Sequence, residues 1–114
     1  MYKVVSKNLR SVIVGSIDYK IGLWVKPKYG KLFVFKHLKD AKRFRAGGSR
    51  IFKCQVTNPE PKARIISWAC SSLFRDFWAG NELFYDYLRP APQGTYVCDS
   101  VKLEYEVWNS DRSN

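Results

Sequence analysis

The sequence predicts an α+β domain, and three observations carry that prediction. β-rich runs bounded by glycine and proline recur from Tyr2 to Trp108. The apolar period changes from strand-like to helix-like at Leu38 and again at Ile65. No run of about 18 apolar residues interrupts the pattern, so no membrane span is expected. A chain of 114 residues has room for one core and not two, and 46% hydrophobic with 16% aromatic residues supplies the burial that folding needs. The expected architecture is a single compact domain over residues 1–108 with a polar tail at 109–114. Its expected core is a mixed sheet of about five to seven strands, with a short basic helix and a longer amphipathic helix packed on it.

Each element follows from its residues. Tyr2 to Ser6 reads as an opening strand, Val12-Ile13-Val14 with Ile17 as a second, and Ile21 to Lys26 as a third, stopped by Pro27 and a turn around Tyr29-Gly30. Leu32-Phe33-Val34-Phe35 is continuously apolar between Lys31 and Lys36, the mark of a strand buried on both faces. Leu38, Ala41 and Phe44 then recur every three residues before Ala46-Gly47-Gly48, which predicts a short helix. The strand Arg50 to Thr57 places Phe52, Cys54 and Val56 on one side. Strand, helix and strand together predict a β-α-β unit with a parallel crossover. Asn58-Pro59-Glu60-Pro61 reads as a turn, because neither proline can continue a ladder. Apolar pairs spaced by four from Ile65/Ile66 to Phe77/Trp78 predict the longer helix, Ile65–Ala79. Leu83 to Leu88 is a short apolar segment, and Arg89 to Gly94 a loop. Thr95 to Trp108 forms one or two final strands, with Val101, Leu103, Tyr105 and Val107 on one face and Lys102, Glu104 and Glu106 on the other.

Charge is the strongest functional signal. Residues 1–64 hold 16 basic and 3 acidic side chains, whereas residues 65–114 hold 4 basic and 7 acidic ones. The net charge of +10 therefore sits in the first half. Between Lys26 and Lys53, the only acid is Asp40. On the short helix Lys39, Lys42 and Arg43 gather within about 100° of one another, opposite the apolar stripe. With Arg45, Arg50 and Lys53 they form the candidate anion-binding set. Trp24, Lys26, Lys28 and Tyr29 form a secondary patch in which aromatic rings adjoin cations. Such a surface suits a phosphate backbone, since each neutralised phosphate releases counterions.

Chemistry finds less support. Cys54, Cys70 and Cys98 have no close pairing and only His37 to join them, so no metal site is expected. The strand cysteines read as small buried hydrophobes. Gly47-Gly48-Ser49-Arg50 has a phosphate-loop composition but follows a helix, which favours a helix-ending turn. His37 is placed to help start the helix. Asp99-Ser100 reads as the turn before the last strand, and Tyr96, Tyr105 and Trp108 as packing residues. No catalytic residue or cofactor is assigned.

Tyr2-Lys3-Val4-Val5, Gly30 to Phe35, Ala41-x-x-Phe44, Ile51 to Cys54 and Gly94-Thr95 with Asp99 to Leu103 together resemble small uncharacterised proteins of bacteriophages and other viruses. That resemblance implies an accessory protein acting by binding host or viral macromolecules. The opening strand, the Phe-Val-Phe strand, the helix and the returning strand also resemble ADP-ribosyltransferase-type domains. This second likeness implies NAD held at the first strand, where the chain offers Tyr2 and Lys3, and a late glutamate in Glu104-Tyr105-Glu106. The expectation is non-catalytic binding of nucleic acid or a nucleoprotein complex, in the cytoplasm, or the host cytoplasm for a phage or viral chain. The alternatives are a nucleotide-binding or ADP-ribosyltransferase-like domain, or an inhibitor that binds a host protein.

Overall fold

A computed structural model describes residues 1–10, 17–27, 30–44, 49–62, 64–66 and 88–109. They form an α+β domain: β1 (Tyr2–Ser6), β2 (Trp24–Val25), β3 (Leu32–Phe35), α1 (Leu38–Phe44), β4 (Ser49–Thr57), β5 (Glu60–Pro61), β6 (Arg64–Ile66), β7 (Leu88–Pro90), β8 (Thr95–Cys98) and β9 (Ser100–Asn109). Seven strands make one sheet in the order β2-β9-β4-β1-β3-β8-β5, and β6 pairs with β7 separately.

Every pairing is antiparallel, which corrects the expected mixed sheet. β3 and β4 do run the same way around α1, but β1 lies between them and pairs antiparallel with both. The helical crossover therefore spans a strand that comes earlier in the chain. Local periodicity carries no information about that insertion.

The sheet folds over on itself. Cys98 ends β8 against Leu32 of β3, and Ser100 begins β9 against Thr57 of β4. In a flat sheet β8 and β9 would lie four spacings apart, about 19 Å. Two residues of chain reach only about 7 Å. The sheet must bend until β2-β9-β4-β1 forms one leaf and β3-β8-β5 the other. The leaves join at the Tyr2 and Phe35 pairing and at the Asp99 corner. At that corner the Asp99 amide donates to the Thr57 carbonyl, and Lys31 reaches both Asp99 and Glu60, at 3.2 and 2.8 Å.

Burial follows this arrangement. Val5, Phe52, Cys54, Val101 and Leu103 of the first leaf pack against Leu32, Val34 and Cys98 of the second, with Tyr19 between them. On the outer side of β1, Val4, Phe35 and Ile51 take the expected helix stripe, with Ala41 fully buried and Leu38 and Phe44 beside it. β3 is buried at all four positions, as its unbroken apolar run predicts. The His37 carbonyl accepts the amides of Asp40 and Ala41, so His37 does start the helix.

Several boundaries differ from expectation. Within Ile21 to Lys26 only Trp24 and Val25 are strand, because Gly22, at φ +84°, turns the chain and donates to the Leu103 carbonyl. Glu60 and Pro61 are not only a turn. They form an edge strand, where a proline's missing N–H is tolerated. Ile65 and Ile66, assigned to the start of the longer helix, instead pair with Arg89 and Leu88, so two residues assigned to the following loop, Arg89 and Pro90, are also strand. The rest of that helix, Val12 to Val14, Cys70, Leu83 to Tyr87, Ala46-Gly47-Gly48 and residues 110–114 lie outside the described residues. β9 itself extends through Asn109.

The last strand departs most. Leu103 pairs with Cys54 and Tyr105 with Lys53, then Glu106 with Phe52 and Trp108 with Ile51. Glu104 and Val107 are thus the extra residues of two β-bulges, and each bulge resets the alternation. Val101 and Leu103 face the core, whereas Tyr105 emerges on the outer side with 57% of its surface exposed, and Val107 joins the outer cluster.

Candidate nucleic-acid interface

The outer face of the first leaf has two halves. α1 covers Val4, Ile51 and Phe35. Beyond it, cross-strand register places Tyr2, Lys53, Gln55, Tyr105, Lys102 and Trp24 on one side of β1, β4, β9 and β2. Gln55, Tyr105 and Trp24 are exposed, and Tyr2, Lys53 and Lys102 are half-buried.

Aromatic rings and lysines alternate across this strip. The Lys53 ammonium lies 4.7 Å from the Tyr2 ring centroid, and that of Lys102 lies 6.0 Å from the Trp24 ring. Each lysine is thereby held over an aromatic face instead of ranging freely. Trp24 keeps 47% of its surface exposed, and Ile21 and Leu23 beside it are also exposed. Glu104, the extra residue of the first bulge, is exposed and places one negative charge beside Tyr105 in the chain.

Only part of the sequence-derived set lies on this strip. Lys39 and Arg43 are exposed on α1, with Arg43 donating to Gln93 Oε1 at 3.4 Å. Lys42 is half-buried, Lys26 is exposed, and Lys53 belongs to the aromatic strip. Lys26 also lies close enough to the Asp99 corner to help lower that carboxyl's pKa, after the larger effects of hydrogen bonds from Asn58 and Lys31. Arg50 is committed elsewhere: its guanidinium donates to Glu106, reaches the Lys7 carbonyl and lies over the Phe52 ring. Arg45, Lys28 and Tyr29 lie outside the described residues. Glu104 and Glu106 do not form a pair, because the first bulge separates exposed Glu104 from Glu106 at Arg50.

Sequence reading missed Tyr2, Lys102 and Tyr105 as members of this strip. It placed Lys102, Glu104 and Glu106 on one face and Tyr105 on the other, whereas the bulge at Glu104 puts Tyr105 on the Lys102 side and Glu106 on the side of Phe52 and Arg50, and that bulge leaves no mark in residue type.

The inner face is chemically opposite. Lys3 points into the core, 3% exposed, and its ammonium donates to the Phe33 carbonyl of the other leaf at 2.6 Å. Its Nζ lies 5.5 Å from the Tyr19 ring centroid. Loss of hydration pulls the Lys3 pKa from 10.5 down to about 8, with the Cys98 and Cys54 thiols opposing the shift. Burial pushes the Cys54 thiol up to about 11 and that of Cys98 up to about 12, and raises the Tyr19 phenol as well. Both cysteines are free thiols kept protonated, without the thiolate character that nucleophilic work requires. The Tyr19 hydroxyl finds no hydrogen-bond partner among the described residues.

Among the described residues, no three His, Cys, Asp or Glu side chains gather as a metal-ligand set, and no helix is long and apolar enough to cross a membrane. Comparison with family models, with curated proteins and with solved structures found no match to this chain.

Proposed function

We propose that this chain acts by binding, with nucleic acid or a nucleoprotein complex as its partner and without catalysis, as a small accessory protein of the phage or viral type working in the cytoplasm. The observation that carries the reading is the concentration of positive charge in residues 1–64. Lys26, Lys36, Lys39 and Arg43 of that half are exposed, and half-buried Lys53 lies on an outer face that bears exposed aromatic rings. Backbone neutralisation needs no base readout and no cofactor.

Fluorescence anisotropy of labelled DNA and RNA across a salt series tests this. The expected result is binding at low salt whose logarithm falls linearly with log salt, with a slope of several phosphates. Changing Lys39, Lys42 and Arg43 together to Glu should weaken binding by about tenfold or more. Absence of binding at low salt to every nucleic acid tried overturns the reading, because +10 of charge acts most strongly there.

A further inference from the structure

We infer that the open half of the outer face is a stacking platform for unpaired bases, and that the ligand class is single-stranded nucleic acid. Trp24 and Tyr105 stack on bases, while Lys53 and Lys102 contact the intervening phosphates. The inference rests on the proposed nucleic-acid reading and adds to it the strandedness of the ligand and the side chains that select it.

Three observations carry it. First, the two most exposed aromatic residues among the described residues, Trp24 and Tyr105, are brought to the same face of one leaf by pairing and by the bulge at Glu104. Second, each has a lysine beside it in the register: Lys102 opposite Trp24, and Lys53 opposite Tyr105. A protein-docking patch has no need of that pairing, since lysine is depleted from the cores of protein interfaces. A polyanion that also presents flat apolar rings does need it.

Third, the spacing suits splayed bases. Trp24 and Tyr105 are one strand and about three β9 positions apart, which places their backbones roughly 10 Å from each other. Bases stacked in a duplex rise about 3.4 Å per step and present no free faces along the helix. Two rings at this separation therefore meet bases that have already left the stack. Stacking of this kind accepts any base, so the two rings by themselves carry no sequence readout.

The test compares a labelled 20-nucleotide oligothymidylate with a 20-base-pair duplex at one low salt concentration, for the wild-type chain and for Trp24→Ala, Tyr105→Ala and Trp24→Phe. The wild type should prefer the single strand. Each alanine change should weaken oligothymidylate binding by about 5- to 100-fold and duplex binding by less than about twofold. Trp24→Phe, which keeps a ring, should restore most of the loss. Because both side chains are exposed, thermal melting of the variants should match the wild type. If the wild type binds nucleic acid but both alanine variants bind the single strand unchanged, the platform is wrong while the nucleic-acid reading stands. If single strand and duplex lose affinity equally, the side chains act without selecting unpaired bases, and the inference fails. Concentration-dependent self-association abolished by Trp24→Ala, with oligothymidylate binding intact, would assign the face to a second copy of the chain. No binding of either probe by the wild type would overturn the underlying reading itself.

Discussion

The two sides of the leaf β2-β9-β4-β1 are made from alternate residues of the same strands, yet they do opposite things. On β4, Phe52 and Cys54 are buried inside while Lys53 and Gln55 point outward. On β9, Leu103 fills the core while Lys102 and Tyr105 face out. The inner side encloses a lysine to which no carboxylate among the described residues is bound, and the outer side displays lysines against aromatic rings. The same residue type is a stability cost on one face and a proposed ligand contact on the other, and register alone decides which face it takes.

The sharpest break of this comparison is to delete side chains on each side. Phe52→Ala should destabilise the domain by about 3–5 kcal/mol, because Phe52 is fully buried and the second leaf cannot collapse onto the space it leaves. Trp24→Ala, with half its surface already in water, should change stability by less than about 1 kcal/mol and show its effect in binding. Chemical denaturation of both variants measures the contrast.

Lys3→Met should stabilise the fold by about 1–3 kcal/mol at pH 7, since an apolar chain of similar length replaces a charge held out of water. The sign of the pH dependence sharpens this. Between about pH 8 and 10.5 an unfolded Lys3 holds its proton and the folded one does not, so stability rises with pH in that window. Cys54 and Cys98 act oppositely: from pH 9 the unfolded thiols ionise while the folded ones resist to about 11 and 12, so stability falls. The wild type should therefore gain stability from pH 8 to 9 and lose it above. In Lys3→Met the gain should vanish and the loss remain, as read by denaturation midpoints at each pH.

Gly94→Ala tests the seat of α1 on the outer face. Gly94 has φ +79°, and an added Cβ would sit 2.3 Å from Asp40 Oδ2 and 3.0 Å from Asp40 Cβ, in the first turn of the buried helix stripe. Backbone strain and the clash together should cost about 1–3 kcal/mol, seen as a lower melting temperature. The smallest effect is expected at Glu104. Changing it to Gln removes an exposed negative charge beside Tyr105 and should tighten oligonucleotide binding about twofold at low salt, with no change at high salt.

Much of the fold was legible where a local pattern has one solution. Leu38/Ala41/Phe44 identified α1, and the unbroken Leu32 to Phe35 run identified a strand covered on both sides. What stayed hidden were relations between distant segments. Nothing in Tyr2 to Ser6 says that it inserts between β3 and β4, and nothing in Val101 to Trp108 marks the bulges that turn Tyr105 outward. Nothing in the residues around Lys3 marks it as buried, because its burial depends on Phe33 and Tyr19 arriving from other elements. Ile65-Ile66 fitted the four-residue spacing that predicts the longer helix. Their pairing with Arg89 and Leu88 makes them strand instead, and that pairing is not visible in the local pattern.

The site was legible in its charge and not in its geometry. Lys39, Lys42, Arg43 and Lys53 announced a basic surface through composition, whereas Arg50 was indistinguishable from them until Glu106 appeared beside it. Lys102 lies in the acidic half of the sequence and joins the basic strip only through pairing with Trp24 and Gln55.

Titration of the isotope-labelled chain with oligothymidylate, followed by nuclear magnetic resonance, tests the division between the faces most directly. The account predicts shifts concentrated at the Trp24 indole and at Lys53, Gln55, Lys102 and Tyr105, with small changes at Val5, Phe52 and Leu103. Shifts confined to β3, β8 and β5, or an unperturbed Trp24 indole at saturation, would contradict it.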